Sequence, residues 1–202
     1  NQFVVWTPEQ LSEFLSIARG KDILSYYPMA LTVMTGLRVQ EVFGLQWKDI
    51  DFENKVINLS RTCREINGEA YPFIAHGKTE KSMRPIKIST ETVNLLSSIR
   101  GTQVAIKSEI GNMYENPDGW ICSNRWGKLY RPSYVAKAFR KIVLANPELP
   151  RPMHLRGFRH LFATYLLLKK VHPKVVQEHL RHSSYDQTFN TYSHVIDNVG
   201  RE

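Results

Sequence analysis

The polarity of the first fifty residues follows a helical period. Leu11, Phe14, Leu15 and Ala18 fall three or four apart and share one face, the spacing of an amphipathic helix. Thr7-Pro8-Glu9-Gln10 supplies its start, with Thr7 as N-cap, Pro8 at the first helical position, Gln10 reaching back as the reciprocal cap, and Trp6 set to staple onto Leu11. Gly20 is expected to end it. A second helix from about Ser25 carries Met29, Ala30, Val33 and Met34 and stops at Thr35-Gly36, where glycine suits a left-handed cap. A third, short helix over 39–45 follows at once. Arg38 then stands at the junction of two helices, where a side chain can project into a cleft.

The period changes after a turn-like stretch over 47–52. Residues 56–61, 71–75 and 84–88 read as strands; Asn67-Gly68 is a hairpin signal between the first two, and the polar loop 76–82, with Lys78 near its start, joins the second and third. Helical spacing returns with a helix capped by Thr90, carrying Val93, Leu95, Leu96 and Ile99 and closed by Gly101, and with a further piece over 104–110. A turn at 116–119 and a short buried segment over 120–122 precede a helix opened by Pro132-Ser133 and ended by Asn146-Pro147. Between 155 and 170, Phe158, Leu161, Phe162, Tyr165, Leu166 and Leu168 cover most of a helix circumference, which predicts a central, buried helix. It opens with Arg156 and Arg159, three apart and so on one face; an uncompensated guanidinium in a core is costly, so either carboxylates pair with them or a phosphate visits. Pro173 starts a helix running to Leu180, and Ser184 with Gln187 can cap a last one that carries Tyr192. The expected fold class is mainly α with a small antiparallel three-stranded β-sheet, an α+β domain.

Composition narrows the partners. The 202 residues carry a formal charge of +8 and are 42% hydrophobic, enough for a packed core and suited to a polyanion, nucleic acid first of all. Cys63 and Cys122 match no metal-ligand spacing and read as reduced, packed cysteines of an intracellular protein. No apolar run approaches the ~18 residues that span a bilayer and no signal peptide precedes the first helix, so a cytosolic protein without membrane partners is expected. The chain opens on Asn1 with a helix close behind, and reads as a fragment of a longer one.

Three stretches together resemble a known family. Thr35-Gly36-Leu37-Arg38-Val39-Gln40-Glu41-Val42-Phe43-Gly44-Leu45-Gln46-Trp47-Lys48-Asp49-Ile50-Asp51 resembles the first box of tyrosine recombinases, the phage and transposon integrases. Phe158-Arg159-His160-Leu161-Phe162-Ala163-Thr164 is similar to their second-arginine box, and Leu180-Arg181-His182-Ser183-Ser184 through Thr188 to Tyr192-Ser193-His194-Val195 to their nucleophile box. The boxes occur in the family's order, and Gly77-Lys78-Thr79 leads into a strand as its catalytic hairpin does.

The resemblance implies the catalytic domain over 1–202, with core-binding and arm-binding domains outside this chain. It implies a site-specific recombinase or integrase of a mobile element, which cuts and rejoins DNA through a 3′-phosphotyrosyl intermediate. In this reading Tyr192 is the nucleophile, Arg38 and Arg159 grip the non-bridging oxygens, Lys78 protonates the leaving 5′-oxygen and His182 hydrogen-bonds the phosphate. Glu41 fits a buried carboxylate orienting an arginine, and His160 packs. Neither metal nor other cofactor is needed. The partners implied are double-stranded DNA, further copies assembling as a tetramer on it, and accessory DNA-bending or directionality factors, with the protein nucleoid-associated in a bacterial cytoplasm.

Two residues depart from the pattern. Arg156 stands where the family has histidine or lysine; it can donate to phosphate but is a poor proton shuttle. Arg181 stands where the family has glycine before the histidine, and would be strained if that position has positive φ. The rival readings are a type IB topoisomerase and a DNA-binding protein of the same fold with impaired catalysis.

Overall fold

A computed structural model describes residues 5–74, 85–151 and 154–181. Helix α1, Pro8–Lys21, opens as expected: the Thr7 amide donates to Gln10 Oε1 at 2.9 Å and the Gln10 amide to Thr7 Oγ1 at 3.3 Å. It runs through Gly20 rather than ending there, because Asp22 supplies the boundary, closing α1 with its amide and capping α2, Ile23–Thr35, through the Leu24 amide at 3.1 Å. Gly36 ends α2 in the left-handed conformation, φ 65°. Helix α3 is shorter than expected, Val39–Phe43.

The sheet differs from the single three-stranded unit of the sequence reading. The turn-like stretch becomes a 3₁₀ turn, Trp47–Asp49, and strand β1, Ile50–Asp51. The first expected strand divides into β2, Val56–Ile57, and β3, Arg61–Ile66, and the second is β4, Glu69–Ile74. Strand β5, Ile86–Lys87, pairs with β2, giving the antiparallel order β1-β2-β5, while β3 and β4 form a separate two-stranded ribbon. The buried Asp49 explains the break: its carbonyl takes the Asn58 amide at 2.8 Å and its carboxylate takes Arg61 Nη1 at 2.6 Å and Ser60 Oγ at 3.3 Å, bending the chain out of the first ladder. The ribbon turns at Asn67-Gly68, with φ 52° and 80°, both positive as a tight primed turn requires.

Helix α4, Thr90–Ile110, is one element that includes Gly101 and the piece expected to follow it, and its N-cap is Ser89 rather than Thr90. The buried Gln103 gives a reason for the continuation: its side-chain amide donates to the carbonyls of Trp120 and Ile121 and to Ser123 Oγ, at 2.9–3.0 Å, and its oxygen accepts from Trp47 Nε1. These bonds outweigh a single helical glycine, worth ~1 kcal/mol against alanine. Helices α5, Pro132–Ala145, α6, Gly157–Leu168, and α7, Pro173–Leu180, follow the predicted bounds closely. Helix α6 buries Phe158, Leu161, Ala163 and Leu167, with Leu168 exposed at its end.

The core centres on Trp6, Phe14, Phe139 and Phe158, contributed by the α1 approach, α1, α5 and α6, with ring centroids 5.2–6.3 Å apart. Trp6 closes this cluster by donating to the Pro150 carbonyl at 2.9 Å. Cys63 and Cys122 are free and buried in the same core. No helix among the described residues is long and apolar enough to cross a membrane.

Candidate active site

Arg38 is the N-cap residue of α3, in extended conformation, because the left-handed Gly36 has just turned the chain away from α2. Its side chain is 47% exposed. Glu41, one turn on and buried, accepts from the Arg38 amide through Oε2 at 2.8 Å and from Arg38 Nη1 through Oε1 at 2.9 Å. A second guanidinium meets the same carboxylate: Arg181 Nη2 lies 2.7 Å from Glu41 Oε2, with a side chain only 2% exposed. Burial pushes the Glu41 carboxyl up, but the guanidiniums of Arg181 and Arg38 and the hydrogen bonds from Arg38 outweigh it and hold the group below its ordinary value. The Arg181 pKa is lowered as well, by its burial first and by the Arg38 charge, with partial compensation from Glu41.

Arg159, in the first turn of α6, reaches the same junction by a different route. Its Nη1 donates to the Gly36 carbonyl at 2.8 Å and its Nη2 to the Leu180 carbonyl. One planar fork thus ties α6 to the end of α2 and to the end of α7. The expected choice between carboxylate partners and a visiting phosphate omitted this third solution, backbone carbonyls left over at two helix ends. The buried carboxylate of the junction, Glu41, pairs with Arg38 and Arg181. Arg156 is exposed at the N-cap of α6, so it carries no burial penalty.

His160 is half-buried, and burial, with the neighbouring Arg159 charge, lowers its pKa. His179, which no motif marks, is part of the junction. Its ring lies 4.9 Å from that of Phe162 at 27°, and its Nε2 is 2.8 Å from the Thr35 carbonyl; burial, foremost, depresses its pKa. Its place three residues after the buried Val176 was the available signal. Phe162 also covers Gly36, where a Cβ would lie 2.4 Å from the ring.

The fold therefore gathers Arg38, Glu41, Arg159, His179 and Arg181 about the Thr35–Arg38 connection, with Arg156 at the start of the helix that carries Arg159. Lys78, His182 and Tyr192 lie outside the described residues. Arg181 has φ 57° and ψ 42°, so the position is left-handed, as glycine there would suggest. Among the described residues no group of three or more histidine, cysteine, aspartate or glutamate side chains could hold a metal ion.

The model of the phage integrase family matches residues 5–198. The chain belongs to that family. A XerC-like tyrosine recombinase of Caldanaerobacter subterraneus is 29% identical over 200 residues, covering 95% of this chain and 50% of the relative. The ICEBs1 integrase of Bacillus subtilis is 27% identical over 98% of this chain and 52% of its own length. The chain thus spans about half the length of the relatives it matches. Among solved structures, the Tn1549 transposon integrase in complex with transposon right end DNA superposes with a TM-score of 0.78 at 25% identity, covering all of this chain and 65% of that one. The family member described here accordingly has the tyrosine recombinase catalytic fold, mainly helical with small antiparallel ladders.

Proposed function

We propose that this chain is the catalytic domain of a site-specific recombinase of a mobile element, breaking and rejoining double-stranded DNA through Tyr192. The observation that carries the reading is the convergence of Arg38 and Arg159 on the connection between α2 and α3. A phosphodiester repels nucleophiles, and two guanidiniums on its non-bridging oxygens neutralise that charge and hold the extra charge of the pentacoordinate state. Tyr192 gives up its phenol proton to solvent water as Oη bonds to phosphorus and the bond to the 5′-oxygen breaks, and Lys78 gives the leaving oxygen its proton. His182 donates to the same phosphate. Arg156 stays charged throughout, so its part is to bind phosphate rather than move protons.

Recombination of two duplexes calls for four protomers assembled on DNA, with accessory proteins bending the sites, in the nucleoid of a bacterial cell. Binding by this domain is salt-sensitive, because released counterions supply much of its free energy.

The test is to offer the protein a library of nicked duplexes of randomised sequence, in which loss of the short cleaved strand traps any covalent product. A protein–DNA adduct that survives denaturation and maps to Tyr192 supports the reading. Retained DNA binding with no adduct would replace it with a non-catalytic DNA-binding role, and relaxation of supercoiled DNA without strand exchange would favour a topoisomerase.

A further inference from the structure

Arg181 occupies a position that argues against arginine twice. Its backbone is left-handed, φ 57° and ψ 42°, a conformation glycine enters freely and arginine does not. Its guanidinium is almost wholly withdrawn from water, which is unfavourable unless the charge is paired and hydrogen-bonded. Both costs are accepted for a contact with Glu41, the residue that already holds Arg38 by side chain and by backbone.

The two oxygens of Glu41 divide the work. Oε1 takes Arg38 Nη1, and Oε2 takes both the Arg38 amide and Arg181 Nη2. Arg38 by itself, through its amide and Nη1, anchors that carboxylate only within α3 and its cap. Gripped from a second helix, 140 residues away in sequence, it cannot turn without breaking a buried ion pair. The charge balance changes too. Arg38, Glu41 and Arg159 together carry one net positive charge at the junction and Arg181 raises it to two, which strengthens the pull on an anion arriving at the half-exposed Arg38.

We propose that Arg181 is a positioning residue: through Glu41 it fixes the Arg38 guanidinium and ties the end of α7, two residues before His182, to the connection between α2 and α3. A glycine at 181 would bring no side chain to Glu41; here the place is filled by one that couples the end of α7 to the connection between α2 and α3. The role in phosphate binding rests on the recombinase reading, while the coupling of Arg181 to Arg38 does not.

Arg181→Gly is the informative variant, because glycine suits the backbone and the fold should survive. Two measurements are made on the full chain, each also on Arg181→Lys, Glu41→Gln and the double variant Arg181→Gly with Glu41→Gln. The first needs no DNA: the guanidinium Nε–Hε resonance of Arg38, by nitrogen-15 NMR. Arg181→Gly is expected to shift or broaden it, Arg181→Lys to restore it in part, and Arg181→Gly to add nothing once Glu41→Gln is present. The second is single-turnover adduct formation on a nicked duplex recovered from the library. Arg181→Gly is expected to slow it about 10- to 100-fold, the scale of a small misplacement of a reacting group, with duplex affinity changed far less.

An Arg38 resonance that ignores Arg181→Gly, or effects of Arg181 and Glu41 that simply add, would overturn the proposal. An unchanged adduct rate with a displaced resonance would overturn its catalytic half. If the wild-type chain forms no adduct, the recombinase reading fails and the resonance still decides the coupling.

Discussion

Phe158 and Arg159 are neighbours on one helix and belong to two different kinds of structure. Phe158 joins Trp6, Phe14 and Phe139 in a cluster of tilted and edge-on rings with no solvent exposure of its own. Its contribution is area removed from water, which is large and nearly non-directional. Arg159 enters a junction where every contact has a direction, to the carbonyls of Gly36 and Leu180, beside the Glu41 pairs and the His179 contact to Thr35. Such bonds add little net stability each, and fix position closely. The aromatic cluster holds the helices together, and the junction decides where their ends point.

The division implies graded effects. Phe158→Ala should cost about 4 kcal/mol of stability, read as a lowered urea midpoint; a loss under about 1 kcal/mol would show that the core can collapse around the gap. Gly36→Ala should cost about 2 kcal/mol, because the methyl would overlap the Phe162 ring and the backbone is left-handed, and thermal melting measures it. Arg159→Met should lose about 1–2 kcal/mol, the penalty of carbonyls deprived of a charged donor, yet reduce adduct formation on a nicked duplex about 100-fold or more. If its stability and activity fell in the proportion seen for Phe158→Ala, the distinction between core and junction would collapse.

Acid sharpens the same contrast. The folded Glu41 carboxyl lies below its ordinary 4.5, so the stabilisation it gives is fully present above the unfolded value. That stabilisation is lost as pH falls through the folded one. Glu41→Gln should therefore be less stable at neutral pH and show a flatter decline in melting temperature below pH 4.5. The smallest effect is expected in the core: burial, with the nearby Glu65 charge, pushes the Cys63 thiol up to about 12, and burial raises the Cys122 thiol as well. Neither should be alkylated by iodoacetamide at pH 8 until the protein unfolds, as peptide mass mapping would record.

The same contrast explains what the sequence made legible. Apolar periodicity located α6, prolines at the helix start located α5 and α7, and turn chemistry located Gly36 and Asn67-Gly68, because those signals are local. The continuation of α4 through Gly101 depended on Gln103 finding carbonyls 17 and 18 residues away. The division of the expected first strand depended likewise on the buried Asp49. In the site, Arg38, Glu41, Arg159 and Arg181 were visible as residues, since motif spacing marked them. Their partners were not: the Gly36, Thr35 and Leu180 carbonyls have no side-chain signature, and the contact of Arg181 with Glu41 bridges most of the chain.

The ribbon of β3 and β4 carries a last consequence, in how the molecule meets its own kind in solution. Its register pairs Ile66 with Glu69 beside the two-residue turn and Cys63 with Pro72 three steps further on. In a tight hairpin the closing pair exchanges both hydrogen bonds and the pairs then alternate, so Cys63–Pro72 is a non-bonded pair and the nitrogen of Pro72 faces outward from β4. Proline has no hydrogen to offer there, and the row of donors along the outer edge is interrupted near its middle. Among the described residues β4 pairs only with β3, and a strand from another copy laid along that outer edge would lose a bond at Pro72.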